Sequence, residues 1–230
     1  TMSENRRISV IIKLEGSEAE FADTFQSVLY QNEENMEVIV VGASEEFDCE
    51  QYLDTQCTGV NVIYIPADAD VNKGIMLNVA TDAASGEWIA YIVSGDVWKP
   101  EKILCQIHQM EQEKARWSYC VAEVQGEDNI CIPPAGWPEY KKKGFIFPDV
   151  LMNTSIAIST VVIAKKIWQN VGGFEESLPA LQDYEFLLRI AQQENPVFLD
   201  ETLVTMKPQS GDPEAALITQ CYCMAEFSEA

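Results

Sequence analysis

Carboxylates, ammonium groups and thiols are the side chains here that could do chemistry, and their spacing narrows what that chemistry is. Asp68-Ala69-Asp70 sets two carboxylates two positions apart, letters that can mean a grip on a hard divalent cation or simply a solvated acidic loop. Asp96 and Asp183 stand singly, each ahead of an apolar pattern where an acid favours the positive end of a helix. Lys13 and Lys73 fall near what should be the ligand end of a sheet, where an ammonium can replace a metal as counter-charge to a phosphate; an ordinary surface lysine is the plainer reading of each. Lys141-Lys142-Lys143 is the only basic run, able to draw in an anion or to serve as a solvated loop tip. The cysteines (49, 57, 105, 120, 131, 221 and 223) are odd in number, and the single histidine, His108, is far from Cys221-Tyr222-Cys223 in sequence. That pattern argues against zinc and for reduced, partly buried thiols.

These groups need a scaffold, and the hydrophobic pattern supplies one. Ile8-Ser9-Val10-Ile11-Ile12 and Glu37-Val38-Ile39-Val40-Val41 are near-continuous β-branched runs, as expected of strands buried on both faces. Between them a helical pattern starts at about Ala19, with Phe21, Phe25, Val28 and Leu29 on one side. A polar helix, a third strand over 60–65 stopped by Pro66, a helix over 73–84 and a fourth strand over 88–93 follow. Such alternation predicts an α/β fold with a mainly parallel, twisted central sheet flanked by helices. Ligands in such sheets sit beyond the carboxyl ends of the strands, so the residues after Ile12, Val41, Ile65 and Val93 are the ones to interrogate. Residues 126–149, rich in proline and glycine, read as a long irregular loop. A short strand over 160–163, a helical turn over 165–171 ending at Gly172-Gly173, an amphipathic helix over 182–193 and a strand within 197–206 complete the pattern.

The bulk properties exclude several partners. A length of 230 residues suits one domain, and 47% hydrophobic content is enough for a substantial core. No apolar run reaches the roughly 18 residues of a membrane helix, so no membrane insertion is expected. Residues 1–7 are polar, show no secretory signal and are expected to be disordered or tag-derived; a cytoplasmic location follows as the expectation. A formal net charge of −22 spread along the chain repels nucleic acid and anionic membranes alike.

A series of short phrases runs through these elements. After the first strand comes Ser27-Val28-Leu29-Tyr30-Gln31; after the second, Asn78 stands eight residues ahead of Gly86-Glu87-Trp88-Ile89-Ala90-Tyr91. Asp96-Val97-Trp98-Lys99-Pro100, Val171-Gly172-Gly173-Phe174-Glu175 and Asp183-Tyr184-Glu185-Phe186-Leu187-Leu188-Arg189 follow in order. In order and spacing these resemble family 2 glycosyltransferases of the GT-A fold. The resemblance implies a glycosyltransferase-like domain over 8–212 and a C-terminal helical extension over 213–230. It also implies a nucleotide-sugar donor, a saccharide acceptor and a magnesium or manganese ion.

The departures fall where that family handles its ligands. Lys13-Leu14-Glu15-Gly16 replaces a Pro-x-Tyr-Asn type turn, Gly42-Ala43-Ser44 a pair of base-contacting aspartates, and Leu77 an arginine. The metal motif, Asp-x-Asp and a further Asp, reads Val93-Ser94-Gly95-Asp96. By resemblance Asp183 matches the general base of the family's Glu-Asp motif, with uncharged Gln182 beside it. Lys13, Gly42, Ser44, Lys73, Asn78, Ser94 and Asp96 are the donor-site candidates, and Asp96, otherwise a helix cap, is the sole metal candidate. Asp68-Ala69-Asp70 follows the third strand rather than the fourth, which favours the solvated loop. The expectation is a degenerate member in which the metal is not bound and metal-dependent transfer is lost or nearly lost, serving as a binding module in polysaccharide assembly. The alternatives are an active, metal-independent transferase that neutralises diphosphate with lysines, and an acidic partner-binding domain without a nucleotide pocket.

Overall fold

The structure of the protein is a computed structural model that describes residues 7–31, 33–56, 59–68, 70–126, 130–134, 136–153, 156–208 and 212–227. The expectation for residues 1–6, and the Cys57 and Ala69 positions, lie outside the described residues.

The first half is the alternation expected. Strand β1 (Ile8–Leu14) leads to α1 (Glu18–Leu29), β2 (Met36–Gly42), α2 (Cys49–Gln56), β3 (Asn61–Pro66), α3 (Lys73–Ala83) and β4 (Trp88–Val93). Helix α1 starts where Ser17 and Glu20 form a reciprocal capping box, and α3 starts where Asn72 Oδ1 accepts from the Gly74 amide at 2.7 Å. Strand β1 lies between β2 and β4 and is parallel to both, and β2 is parallel to β3. Every residue of β1 and β2 is buried except the half-buried Lys13 and Met36, which is why their sequences are near-continuous apolar runs rather than alternating ones.

The second half is mixed. It comprises β5 (Val97–Trp98), α4 (Lys102–Glu113), β6 (Trp117–Val124), β7 (Cys131–Ile132), α5 (Phe147–Met152), β8 (Val162–Ala164), α6 (Lys165–Val171), α7 (Gln182–Gln193), β9 (Val197–Met206) and α8 (Pro213–Glu226). Among the described residues these strands complete one nine-stranded sheet in the order β3-β2-β1-β4-β8-β6-β9-β5, with β7 beside β6. Strand β8 is antiparallel to β4 and β6, whereas β9 runs parallel to β6. One apolar layer packs α3, α5, α6 and α7 on one face of the sheet, and the other packs α1, α2 and α4 on the opposite face.

Three expectations are corrected. Strand β6 had not been anticipated, although Trp117 to Val124 is aromatic and β-branched and all but its last two residues are buried. The strand expected over 160–163 begins at Val162, because Ile158–Thr160 forms a 3-10 turn whose Ser159 and Thr160 point polar atoms inward. The region 126–149 holds β7, a 3-10 turn at Glu139–Lys141 and the start of α5 besides loop. Helix α8, the expected extension, is tied back by Thr219 Oγ1 donating to the Ala180 carbonyl at 2.8 Å and by buried Cys223 and Phe227.

Candidate functional site

Strand order reverses across β1 and β4, and the crevice beyond their carboxyl ends is where an open α/β sheet presents ligand-handling groups. A cleft of about 530 Å³ lies there, with Glu15 after β1, Val93 ending β4 and Asp96 after it, Lys73 on α3, Gln182 and Asp183 on α7, and Lys207 after β9. A smaller pocket of about 280 Å³ shares Glu15 with it and is lined also by Lys13, Ala43 and Ser44.

The turn after β4 is held from several sides. Thr24 Oγ1 accepts from the Gly95 amide at 2.8 Å and donates to the Asp96 carbonyl at 2.7 Å, linking the turn to α1. Asp96 does not cap a helix: β5 follows it, and α4 starts only at Lys102. Its carboxylate is buried; Oδ2 accepts from Ser159 Oγ at 2.6 Å and Oδ1 from the Lys207 amide at 3.0 Å. Burial pushes this carboxyl up to about 6 against the pull of those hydrogen bonds and the Lys207 charge.

Lys207 is the feature that motif reading missed. Its side chain lies across Gly95, where a Cβ would stand 2.4 Å from Lys207 Cδ, and Gly95 holds a left-handed φ of +96°. Its ammonium reaches Glu15 at 3.3 Å and Glu20 at 3.7 Å. Glu15 also pairs with Lys13, and although burial raises its carboxyl, the Lys13 and Lys207 ammonium groups outweigh that and hold it below the usual range. The signal available in sequence was position alone: Lys207 directly follows the last strand, just as Lys13 lies at the end of the first.

On the opposite wall Asp183 sits in the first turn of α7, with Leu181 at the cap position. Its Oδ2 takes the Lys73 ammonium at 3.0 Å and its Oδ1 the Tyr184 amide at 3.1 Å. Burial alone would raise this carboxyl; Lys73 and the backbone amides overcome it and lower it.

The other sequence candidates separate into two groups. Ser44 lines the small pocket, its Oγ donating to the Gly16 carbonyl at 2.8 Å and accepting from the Glu46 amide at 3.0 Å. Gly42, with φ +124°, packs so tightly that a Cβ would meet the Leu14 carbonyl at 2.7 Å. Asn78 and Ser94 line neither pocket. The Asn78 amide is taken up by the Phe174 backbone and Glu176, which ties α3 to the loop before α7. Ser94 Oγ is the one buried side-chain polar atom without a partner among the described residues. Asp70 lines the cleft and is exposed. The basic run engages its own surroundings: Lys141 pairs with Asp149, Lys142 with Asp200 and Lys143 with Glu139.

A divalent cation needs several oxygen ligands converging on one point. At the end of β4 and in the turn after it, Val93 and Gly95 offer no ligand side chain, both Asp96 oxygens accept protein hydrogen bonds, and the aliphatic stem of Lys207 covers Gly95. No group of three His, Cys, Asp or Glu side chains that could hold a metal occurs among the described residues. The donor set does not fit the ion.

Fold and cleft together are those of a GT-A glycosyltransferase domain. The chain matches the sequence model described as glycosyltransferase like family 2 across residues 9–207, and it belongs to that family. It is 27% identical over 185 residues to the Escherichia coli UDP-Glc:alpha-D-GlcNAc-diphosphoundecaprenol beta-1,3-glucosyltransferase WfaP, covering 80% of this chain and 69% of that one. It is 24% identical over 191 residues to an uncharacterized glycosyltransferase of Haemophilus influenzae, covering 81% of this chain and 62% of that relative's length. The chain thus spans less than two thirds of the latter. TarS of S. aureus superposes with a TM-score of 0.74 at 16% identity, over 96% of this chain and 39% of TarS. A shorter TarS chain in complex with UDP gives 0.72 at 17% identity, over 96% of this chain and 64% of its own. No helix among the described residues is long and apolar enough to cross a membrane.

Proposed function

We propose that this chain is a nucleotide-sugar-binding domain of glycosyltransferase type in which metal-dependent transfer is lost or strongly reduced. The observation that carries the reading is the turn after β4. Val93 and Gly95 stand where the family's two metal aspartates would be, and the remaining Asp96 has both oxygens engaged by Ser159 and Lys207.

The chemistry of transfer explains the consequence. Expelling a diphosphate builds negative charge that must be met by preorganised positive charge, and losing one such partner commonly costs about a hundredfold or more in rate. The opposite wall is weakened too. Asp183 would accept the proton of an acceptor hydroxyl, yet the ion pair with Lys73 lowers its affinity for that proton and makes it a poorer base. Binding itself has support: the cleft and the Ser44 pocket share Glu15 in their walls, and the fold-level neighbour TarS was crystallised with UDP. A saccharide acceptor would approach from the Asp183 side. The thiols of Cys105, Cys120, Cys131, Cys221 and Cys223, which form no disulfide among the described residues, suit the cytoplasmic setting in which such a module would serve polysaccharide assembly.

The second reading is a metal-independent transferase, favoured by the lysines 13, 73 and 207 around the cleft and the Ser44 pocket. One assay separates the two: diphosphate release over a panel of nucleotide sugars, with and without manganese. No release above a blank is expected, and Asp183→Asn should change nothing. Robust turnover that vanishes in Asp183→Asn would overturn the first reading and establish the second.

A further inference from the structure

Lys207 is held in a manner that ordinary surface lysines are not. Its backbone amide donates a hydrogen bond to Oδ1 of buried Asp96 at 3.0 Å, which ties the residue after β9 to the turn after β4. Its aliphatic stem occupies the space above Gly95 that any side chain at that position would need. The side chain, 23% exposed, lines the cleft together with Lys73 and Asp183, and its ammonium pairs with Glu15 of the same lining. The protein has therefore laid a lysine side chain across the position where the family's motif would put a carboxylate and, through it, a cation. In a chain of net charge −22, such a cation is positive charge placed among the carboxylates of the cleft.

Its present partners are carboxylates. Glu15 meets Lys207 on one side and Lys13 on the other, and it lines both the cleft and the Ser44 pocket. A diphosphate reaching from one pocket into the other would pass Glu15 and meet like charge unless that carboxylate turned aside. Lys13 offers it a second partner, so Glu15 can release Lys207 without being left unpaired.

We propose that the Lys207 ammonium takes the place of the divalent ion as counter-charge to the diphosphate of a nucleotide ligand, and that Glu15 is the internal carboxylate which that diphosphate displaces. The inference rests on the reading of the cleft as a nucleotide site, and goes beyond it by naming the cation and its gate. Lys207 is a binding residue in this scheme, and no bond is made or broken.

The test is calorimetry in EDTA with UDP and with uridine as probes, on the native chain and on Lys207→Met, Lys207→Arg and Glu15→Gln. Methionine keeps a long apolar stem over Gly95 and removes the charge. The native chain is expected to bind UDP without metal. Lys207→Met should weaken UDP by about tenfold or more while leaving uridine unchanged, Lys207→Arg should recover most of the loss, and Glu15→Gln should tighten UDP severalfold. UDP binding that is unaltered in Lys207→Met, or that requires manganese, overturns the role of Lys207 and leaves the nucleotide site standing. Should Lys207→Met fail to fold, unchanged UDP affinity in Glu15→Gln overturns the proposal instead. No saturable binding of UDP or uridine to the native chain, with or without manganese, overturns the nucleotide reading and the inference with it.

Discussion

The ammonium of Lys73, the first residue of α3, lies 3.0 Å from Oδ2 of Asp183 in the first turn of α7. One ion pair thus joins two helices at the cleft and sets the protonation of the carboxylate that family resemblance marks as a base. Both side chains are largely buried, at 27% and 17% exposed, so bulk water screens the pair only in part.

Lys73→Met should raise the Asp183 carboxyl, readable as a shifted carboxyl-carbon titration by NMR. The native pair depresses this group below 3.8, so its stabilisation is complete above that pH and is lost as pH falls through the lowered value. The variant should therefore lose about 1 to 2 kcal/mol at neutral pH, and the deficit should shrink in acid below about pH 4. An unshifted titration would show that the pair does not set the charge state.

Restoring the motif carboxylate at position 95 should fail by itself. Gly95→Asp forces a residue with a Cβ into a positive-φ conformation, costing about 1 to 3 kcal/mol, and drives that Cβ into the Lys207 stem. Urea unfolding should show that loss, with part of it recovered in Gly95→Asp/Lys207→Ala. Strictly additive effects in the double-mutant cycle would mean the two positions are not in contact.

Asp96 should make the protein less stable at neutral than at mildly acidic pH. Its folded value of about 6 exceeds the 3.8 expected when unfolded, so the folded state binds the proton more tightly and stability falls as pH rises between them. About two units correspond to roughly 3 kcal/mol, an order-of-magnitude figure. Asp96→Asn keeps an acceptor for the Lys207 amide and lacks the proton, so its unfolding free energy should lack this slope. Parallel profiles for the two proteins at about pH 4.5 and 7 would sink the assignment.

Arg189 carries the loop before α7. It donates to Glu185 at 2.6 and 2.7 Å and to the carbonyls of Val171 and Gly173, closing the end of α6 against α7. Arg189→Met leaves Glu185 buried without its cation and should cost about 3 to 5 kcal/mol in urea unfolding. Arg189→Lys should recover only part, because an ammonium cannot span the fork between carboxylate and carbonyls. Full recovery by lysine would reduce the role to simple charge.

The sequence by itself determined the sheet's first half and the family. Residues 8–12, 38–41 and 89–93 are β-branched runs because β1, β2 and β4 are adjacent and covered on both faces, and burial on two sides leaves a local signature in composition. The loss of the motif aspartates at Val93 and Gly95 was legible for the same reason: it concerns which residues stand there, not what they touch. What stands in their place was decided only by tertiary structure. Asp96 reads as a cap beside Val97-Trp98, but its partners Ser159 and Lys207 are 63 and 111 residues away, and no local pattern encodes such contacts. Asn78 sits in a family phrase, yet its amide closes on Phe174, 96 residues on. Lys207 is a lysine after a strand until β9 is laid next to β6 and β5, which brings it over a glycine that has room for it. Hydrophobic periodicity is set by burial of neighbours along the chain, whereas the charge balance of this cleft is set by which strand ends the sheet order brings together.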